Sequence, residues 1–183
     1  MDTTKKHIAL VGFMGAGKSA VAAELARRSG LDCVDLDAVI EATTGKTVAE
    51  VFAGEGERAF RELELQALCD ALAHPKPCII ACGGGTVTHP ASFAALREGA
   101  MVVYLQIQTE KALLRIDDWT SRPMLALAGS TDAVHMLAKS RFALYRAAAD
   151  LSVDTGNLSI SEVADVIEAQ LKEAEYVGLE RNE

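Results

Sequence analysis

Residues 12–19 have the residue types and the spacing of a phosphate-binding loop. They read Gly-Phe-Met-Gly-Ala-Gly-Lys-Ser, which fits G-x-x-x-x-G-K-[ST] at every fixed position. Glycines allow a positive φ, so the backbone N–H groups of such a loop can converge on an anion. Lys18 would add a mobile positive charge for the outer phosphates, and Ser19 would offer a hydroxyl to Mg²⁺. The alternative interpretation is a glycine-rich turn that matches the motif by chance.

The segments on either side of the loop decide between these interpretations. Residues 7–11 form an almost unbroken apolar run of strand length, and residues 20–28 predict a helix. A strand, a glycine-rich turn and a helix in this order are the context in which the motif binds phosphate. The sequence therefore predicts a nucleotide site at Gly15, Ala16, Gly17, Lys18, Ser19 and Ala20.

Two acids stand at the end of the next predicted strand, residues 31–37. Asp35 and Asp37 point the same way if the strand continues and diverge if it ends between them. Phosphoryl transfer uses one acid near Mg²⁺ and one that takes the proton of the acceptor hydroxyl, and this pair could supply both. The alternative is that each aspartate only caps the following helix. The phosphate loop earlier in the chain favours a functional role.

Three consecutive glycines, Gly83, Gly84 and Gly85, come directly after residues 78–82, an apolar run that predicts a strand buried on both faces. Without side chains in the way, their backbone N–H groups can approach a ligand closely. A tight turn into the next helix is the alternative, but one glycine would be enough for that. The run of three therefore favours a ligand.

Three arginines are candidates for binding anionic groups. Arg61 lies four residues after Glu57 and three before Glu64, a spacing that also fits an ion pair on a helix surface. Arg122 precedes a proline in a polar stretch, where an arginine can close over a triphosphate. Arg141 lies on a long predicted helix, where a solvated position is the default. Spacing alone does not choose among them.

These candidates lie on a chain in which predicted strands alternate with predicted helices. Such an alternation predicts a parallel sheet covered by helices on both faces, and ligands bind at the carboxyl ends of its strands. The phosphate loop, the two acids and the three glycines each end a predicted strand, so they should meet at one rim. The sequence thus predicts a three-layer α/β/α fold with a parallel sheet of about five strands, at residues 7–11, 31–37, 78–82, 101–105 and 151–153.

Local signals divide the segment between the second and third predicted strands. Residues 38–44 begin a helix, and Thr47 with Glu50 three residues later predicts a capping box at the start of the next. Gly54 and Gly56 interrupt the pattern. A longer helix is then predicted over residues 57–73.

The composition suits one domain and does not exclude small anionic ligands. The chain has 183 residues, 50% of them hydrophobic, which is enough for a sizeable core. Its net charge of −8 argues against broad binding of nucleic acid or anionic membranes, which needs a basic face. Cys33, Cys78 and Cys82 lie in apolar runs and are predicted to be buried thiols. The sequence shows neither a signal peptide nor a run of membrane-spanning length, so a cytoplasmic location is expected.

Taken together, the motifs resemble those of the shikimate kinase family. The form of the phosphate loop, with Phe13 and Met14, is typical of that family. Several motifs in the correct order are more specific than any one of them. The further matches are Asp35-Leu36-Asp37 for D-x-D, residues 52–64 for F-x-x-x-G-E-x-x-F-R-x-x-E, residues 83–85 for the triple glycine, residues 122–125 for the lid's R-P-L-L, and residues 141–145 for R-x-x-x-Y.

The resemblance implies a P-loop kinase that transfers the γ-phosphate of ATP to the 3-hydroxyl of shikimate, on the route to chorismate and the aromatic amino acids. It implies Mg²⁺ as the cofactor and ATP and shikimate as small-molecule partners, without nucleic acid or membrane. Residues 1–183 would form a single domain, with an acceptor-binding helical segment at residues 38–65 and a mobile lid at residues 117–129. A monomer is expected.

The resemblance also implies residue roles, position by position. Asp37 would hold the acceptor hydroxyl and accept its proton, and Phe52 would form an apolar wall. Ser19, and Asp35 through water, would hold Mg²⁺. In catalysis, Lys18 and Arg122 would contact the phosphates, and Arg115 would stack on adenine. Shikimate would be bound by Arg61, Arg141 and the backbone of Gly83, Gly84 and Gly85, with Glu64 orienting Arg61.

Residues 156–160 depart from the family pattern, and two other functions stay open. Residues 153–155 read Val-Asp-Thr, but residues 156–160 lack the Arg and Pro that the family usually places near adenine. Another small P-loop kinase for a carboxylate-bearing polyol, such as a gluconokinase, is one alternative, although the Gly-Phe-Met-Gly loop favours shikimate. A catalytically silent nucleotide-binding module is the other, and it predicts a missing lysine or acid. A silent module would be missing at least one of the following residues, and this chain has them all: Lys18, Ser19, Asp35 and Asp37.

Overall fold

The computed structural model describes residues 5–116, 129–174 and 176. Within these residues the strands are β1 (His7–Val11), β2 (Asp32–Asp35), β3 (Cys78–Ala81), β4 (Ala100–Gln106) and β5 (Leu151–Asp154). They form one five-stranded sheet in the order β2-β3-β1-β4-β5, and every neighbouring pair is parallel. The α/β fold predicted from the sequence is confirmed.

Helices connect the strands and cover the sheet. They are α1 (Lys18–Ser29), α2 (Leu36–Thr44), α3 (Val48–Leu72), α4 (Pro90–Gly99), α5 (Thr109–Leu114), α6 (Thr131–Ala148) and α7 (Ile160–Glu173), with a short 3₁₀ turn at Thr86–Thr88. Among them, α1 packs against α7 and α2 packs against α3. Among the described residues, no helix is both long and apolar enough to cross a membrane.

The central strands carry the core. Every residue of β1 and of β3 is buried, because a parallel sheet covered on both faces gives its strands no exposed side. β1 lies between β3 and β4, so the loop that follows Val11 leaves the middle of the sheet. Since all strands run in one direction, the segments after β1, β2 and β3 leave the sheet at the same edge.

The second strand is shorter and more exposed than predicted. β2 is an edge strand that pairs only with β3, and it ends at Asp35 instead of reaching Asp37. Cys33 is exposed, so the prediction of a buried thiol is wrong at this position. An edge strand lacks the second neighbour that would cover it. Cys78 and Cys82 are buried, as predicted.

Local backbone signals shape α2 and α3 as the sequence suggested. Gly45, with a φ of 67°, ends α2, and Thr47 and Glu50 form both hydrogen bonds of a capping box at the start of α3. Gly56 has φ 84° and ψ 169°, which breaks the helical geometry inside α3 and confirms the predicted interruption. The part of α3 beyond this kink carries Arg61 and Glu64.

The predicted lid falls almost entirely outside the described residues. Residues 117–128, Arg122 among them, are not described. The roles expected of the lid and of Arg122 therefore stay predictions.

Candidate active site

A cavity of about 860 Å³ opens at the carboxyl ends of the strands, a size that suits small-molecule ligands. Most residues singled out from the sequence line it, so the predicted convergence on one rim is confirmed. Ala16 does not line it; it is 1% exposed and buried within the loop. The lining residues that the sequence pointed to are Gly15, Gly17, Lys18, Ser19, Ala20, Asp35, Asp37, Phe52, Arg61, Gly83, Gly84, Gly85, Arg115 and Arg141.

The phosphate loop has the backbone geometry that its glycines allow. Gly12 has a φ of 149° and Gly15 a φ of 77°. A Cβ on Gly12 would lie 2.6 Å from the carbonyl oxygen of Leu105, and one on Gly15 would lie 2.5 Å from that of Ala112. The loop is therefore pressed against the end of β4 and against α5, where only glycine fits.

The loop leads into an anion-binding helix terminus. Gly17 caps α1 without a side-chain hydrogen bond, so the first N–H groups of the helix are not covered by a capping side chain. Those groups and the helix dipole favour a phosphate at this end. The Lys18 ammonium lies across the loop, where Nζ donates to the carbonyl oxygens of Gly12 at 3.0 Å and Phe13 at 3.2 Å.

The two acids diverge because β2 ends between them. Asp35 caps α2, since its Oδ1 accepts hydrogen bonds from the backbone N–H of Asp37 at 3.0 Å and of Ala38 at 3.3 Å. The capping interpretation is thus correct for Asp35, which also lines the cavity. Asp37 lies in the first turn of α2 and faces the triple glycine, with Oδ1 3.3 Å from where a Cβ on Gly83 would stand.

Arg61 is a buried member of the site, and it also forms the ion pair that the spacing allowed, with Glu57 at 3.2 Å. It is 7% exposed, and its Nη1 donates to Oε2 of the fully buried Glu64 at 2.6 Å. The other carboxylate oxygen of Glu64 accepts from the Thr86 hydroxyl at 2.6 Å. The guanidinium also lies 5.9 Å from the Phe52 ring centre and 5.3 Å from that of Phe60. Glu64 orients Arg61, as the resemblance implied.

The triple glycine makes room for this ion pair, a role that the sequence did not reveal. A Cβ on Gly83 would lie 2.2 Å from Oε1 of Glu64, and one on Gly85 would lie 2.1 Å from Nη2 of Arg61. Among the described residues, the nearest atom to a Cβ on Gly84 would be 3.6 Å away. Two of the three glycines are therefore required by neighbouring side chains, and spacing along the chain carries no signal of it.

Arg141 approaches the same glycines from α6. It is 4% exposed, so the solvated position that is the default for a long helix is wrong here. Its Nη1 donates to the carbonyl oxygen of Gly84 at 3.2 Å, and the Tyr145 hydroxyl donates to the same oxygen. The two buried arginines thus meet the triple glycine from two different helices.

The segment after β5 also lines the cavity. Arg115 Nη2 donates to the carbonyl oxygen of Thr155 at 2.8 Å, which joins the end of α5 to this segment. Leu158, Ser159 and Ile160 complete the wall, and the sequence reasoning missed them. The rule that ligands bind at the carboxyl ends of parallel strands could have found them, because they follow β5 as the phosphate loop follows β1.

Cys82 also lines the cavity, but its thiol is expected to be unreactive. Burial, with the nearby carboxylate of Glu64, raises the pKa of its thiol far above the ordinary range. The thiol therefore stays protonated at neutral pH, and a protonated thiol is a poor nucleophile.

An anion-binding loop at the end of the central strand, with an acid and two buried arginines lining the same cavity, defines the class of small P-loop kinases. A gluconokinase from Sinorhizobium meliloti has this fold, with a TM-score of 0.55 over 94% of this chain and 97% of its own, at 17% identity. That likeness concerns the fold alone. The family model for shikimate kinase matches residues 14–172, and the chain belongs to the shikimate kinase family.

Two relatives show how much of the chain the likeness covers. A shikimate kinase of Dehalococcoides mccartyi is 41% identical over 172 residues, which are 94% of this chain and 97% of the relative. The solved structure of a shikimate kinase from Acinetobacter baumannii in complex with shikimate superposes with a TM-score of 0.87 at 33% identity, over 95% of this chain and 96% of that one. The likeness therefore extends over almost the whole molecule.

Proposed function

We propose that this protein transfers the γ-phosphate of ATP to the 3-hydroxyl of shikimate, giving shikimate 3-phosphate and ADP. The observation that carries the proposal is one cavity that joins a phosphate loop to Asp37 and to the buried pair Arg61 and Arg141. A hydroxyl acceptor that also bears a carboxylate uses both features, because the planar guanidinium of arginine can bond both carboxylate oxygens. The related shikimate kinases, one of them solved with shikimate, support this choice of acceptor.

The nucleotide would lie along the phosphate loop. The N–H groups at the start of α1 and the Lys18 ammonium would hold the outer phosphates, and Arg115 would contact the base beside Leu158 and Ile160. Ser19 and Asp35 both line the cavity and carry side-chain oxygens. Oxygen is the ligand that Mg²⁺ prefers, often through water. Bound there, Mg²⁺ would neutralise charge on the phosphates.

The acceptor would lie between α2, α3 and the triple glycine. Asp37 would hold the reacting hydroxyl and accept its proton. Arg61 and Arg141 would bind the carboxylate, and the backbone of Gly83, Gly84 and Gly85 would approach the ring closely. The Phe52 ring would cover one apolar face of the acceptor.

The chain would act as a single domain and as a monomer. Its acceptor-binding segment, residues 38–65, would comprise most of α2 and the first part of α3. Residues 117–129 would form the lid, from which Arg122 would reach the phosphates during transfer.

A coupled assay of ADP release tests the proposal directly. Shikimate, gluconate and no acceptor are compared side by side, and we expect turnover with shikimate only. Turnover with gluconate would indicate the related polyol kinase. ATP binding without turnover on either acceptor would indicate a silent nucleotide-binding module.

The proposed base gives a second prediction. Asp37→Asn keeps the size of the side chain but cannot accept the hydroxyl proton, so turnover should fall by about 10²- to 10⁴-fold while ATP still binds. Asp32→Asn is the matched control, because Asp32 is an exposed acid on the same strand–helix segment. Substantial turnover by Asp37→Asn would remove Asp37 from the chemistry.

A further inference from the structure

We propose that Tyr145 is a positioning residue for the acceptor carboxylate, because its hydroxyl holds the Gly84 carbonyl oxygen to which Arg141 also bonds. The inference rests on the proposed function, since it assigns Arg141 to the carboxylate of the acceptor. The sequence shows Tyr145 only as part of a motif, without a role.

Tyr145 lies at the centre of a buried hydrogen-bonded group. It stands four residues after Arg141 on α6, so both side chains leave the same face of the helix. Tyr145 is fully buried, and its hydroxyl donates to the Gly84 carbonyl oxygen. Arg141 bonds to the same carbonyl oxygen. The two donors and the oxygen that they share form a small network.

The direction of each hydrogen bond in this network is determined by chemistry. A carbonyl oxygen only accepts, and its two lone pairs can serve two donors, here the tyrosine O–H and an arginine N–H. Burial raises the pKa of Tyr145 far above its ordinary range, so the hydroxyl keeps the proton that it donates.

Arg141 needs such support because its charge is buried. Among the described residues, no carboxylate lies within ion-pairing distance of it, in contrast to Arg61, which has Glu57 and Glu64. A buried guanidinium that is bonded to a carbonyl oxygen and has no such carboxylate beside it can attract an incoming anion. The bond to a fixed partner on one side leaves its other N–H groups available for a carboxylate.

The same network orients the glycine backbone. In a trans peptide the C=O and the following N–H point in opposite directions, and no cis peptide bond occurs among the described residues. Because the Gly84 carbonyl points at Tyr145 and Arg141, the N–H of Gly85 points away from them. The Tyr145 ring is itself held by Tyr104 of β4, with ring centres 5.1 Å apart and planes at 26°.

Tyr145→Phe tests the inference, because it keeps the ring and its stacking and removes only the hydroxyl. We expect the KM for shikimate to rise about tenfold and the KM for ATP to change less than about twofold, since one hydrogen bond at the acceptor end is lost. Tyr104→Phe is the matched control, as it removes the hydroxyl of the stacking partner, and we expect both KM values to stay unchanged.

A double-mutant cycle with Arg141→Lys separates positioning from a general effect on stability. If Tyr145 acts through Arg141, Tyr145→Phe should cost much less in the Arg141→Lys background than in the wild type. Equal rises in both KM values, or a lower Tm with unchanged kinetics, would show a merely structural role and overturn the inference. A wild-type protein without shikimate turnover would instead refute the proposed function, whereas wild-type kinetics in Tyr145→Phe would refute only the role of Tyr145.

Discussion

At the scale of single residues, the site is organised by buried charges that are held in place. Glu64 has no exposed surface, and its two oxygens are bonded to Arg61 and to Thr86. Breaking a buried ion pair leaves an uncompensated charge and typically costs about 3–5 kcal/mol. Arg61 therefore stands in one position before any acceptor arrives, which lowers the cost of binding an anion.

The triple glycine gives a prediction at this scale. Gly83→Ala and Gly85→Ala would each place a Cβ within 2.2 Å or less of the locked Glu64–Arg61 pair, whereas the nearest described atom to the Cβ of Gly84→Ala would be 3.6 Å away. A displacement of about 1 Å in a positioning group can cost about 100-fold in rate, and we expect kcat/KM for shikimate to fall by about that factor in the first two variants. Gly84→Ala is the control and should fall far less. Equal effects of all three substitutions would contradict the packing argument.

At the scale of secondary structure, each half of the cavity depends on how two helices are joined. On the acceptor side, the carboxylate of Glu41 on α2 accepts a hydrogen bond from the backbone N–H of Val48 at 2.9 Å, at the start of α3. Both residues line the cavity. The contact between α2 and α3 thus sets the shape of the proposed acceptor pocket.

On the nucleotide side, Arg28 joins α1 to α7. It bonds to Glu24 on its own helix at 2.7 Å and across to Asp165 at 2.6 Å and to the Ser161 hydroxyl at 2.7 Å. Hydrogen bonds from Arg27 and Arg28 lower the pKa of Glu24 to about 2, so this acid is ionised at neutral pH. Arg28 therefore ties α1, which begins at the phosphate loop, to α7, whose first residue Ile160 lines the cavity.

Arg28→Ala tests this connection. We expect the variant to have a Tm a few degrees lower than the wild type and a KM for ATP that rises more than the KM for shikimate. Arg27→Ala is the matched control, because Arg27 bonds to Glu24 and, among the described residues, forms no hydrogen bond or ion pair with α7. Thermal unfolding and steady-state kinetics of both variants give the comparison. If the two variants have the same Tm and the same KM values, the contact of Arg28 with α7 does not affect nucleotide binding.

At the scale of the whole molecule, a buried histidine makes the fold sensitive to acid. His7, at the start of β1, is 1% exposed, with Nδ1 3.1 Å from the Cys78 sulfur, on the adjacent β3. Burial, together with the charge of Lys6, lowers the pKa of His7 from its ordinary value of 6.5. A lowered pKa in the folded state favours the neutral ring, so its stabilising effect is present above pH 6.5 and is lost as the pH falls below that value.

The prediction is that the Tm of the wild type falls between pH 7 and pH 5 by more than that of His7→Gln, whose side chain does not titrate. The control is His135→Gln, because the His135 side chain is 37% exposed. Its Tm should follow the pH dependence of the wild type. Parallel curves for the wild type and His7→Gln would show that His7 does not contribute to acid sensitivity.

The fold and half of the site could be predicted because their signals are local. The phosphate loop, the capping box at Thr47 and the break at Gly56 each depend on a few neighbouring residues. The alternation of strands and helices then placed the loop, Asp37 and the glycines at one rim, since parallel strands end on the same side. The prediction that the second strand extends to Asp37 was wrong, because no local signal shows that Asp35 ends the strand and caps α2.

The sequence alone determined the phosphate loop, the order of strands and helices, and the rim at which they meet, because motifs and periodicity are properties of adjacent residues. Tertiary structure decided which arginines are buried and what the glycines are for. Glu64 meets Thr86 across 22 residues, and Arg141 meets Gly84 across 57. Burial and the contacts between such distant residues arise only when the helices pack against the sheet, and no spacing along the chain encodes them directly.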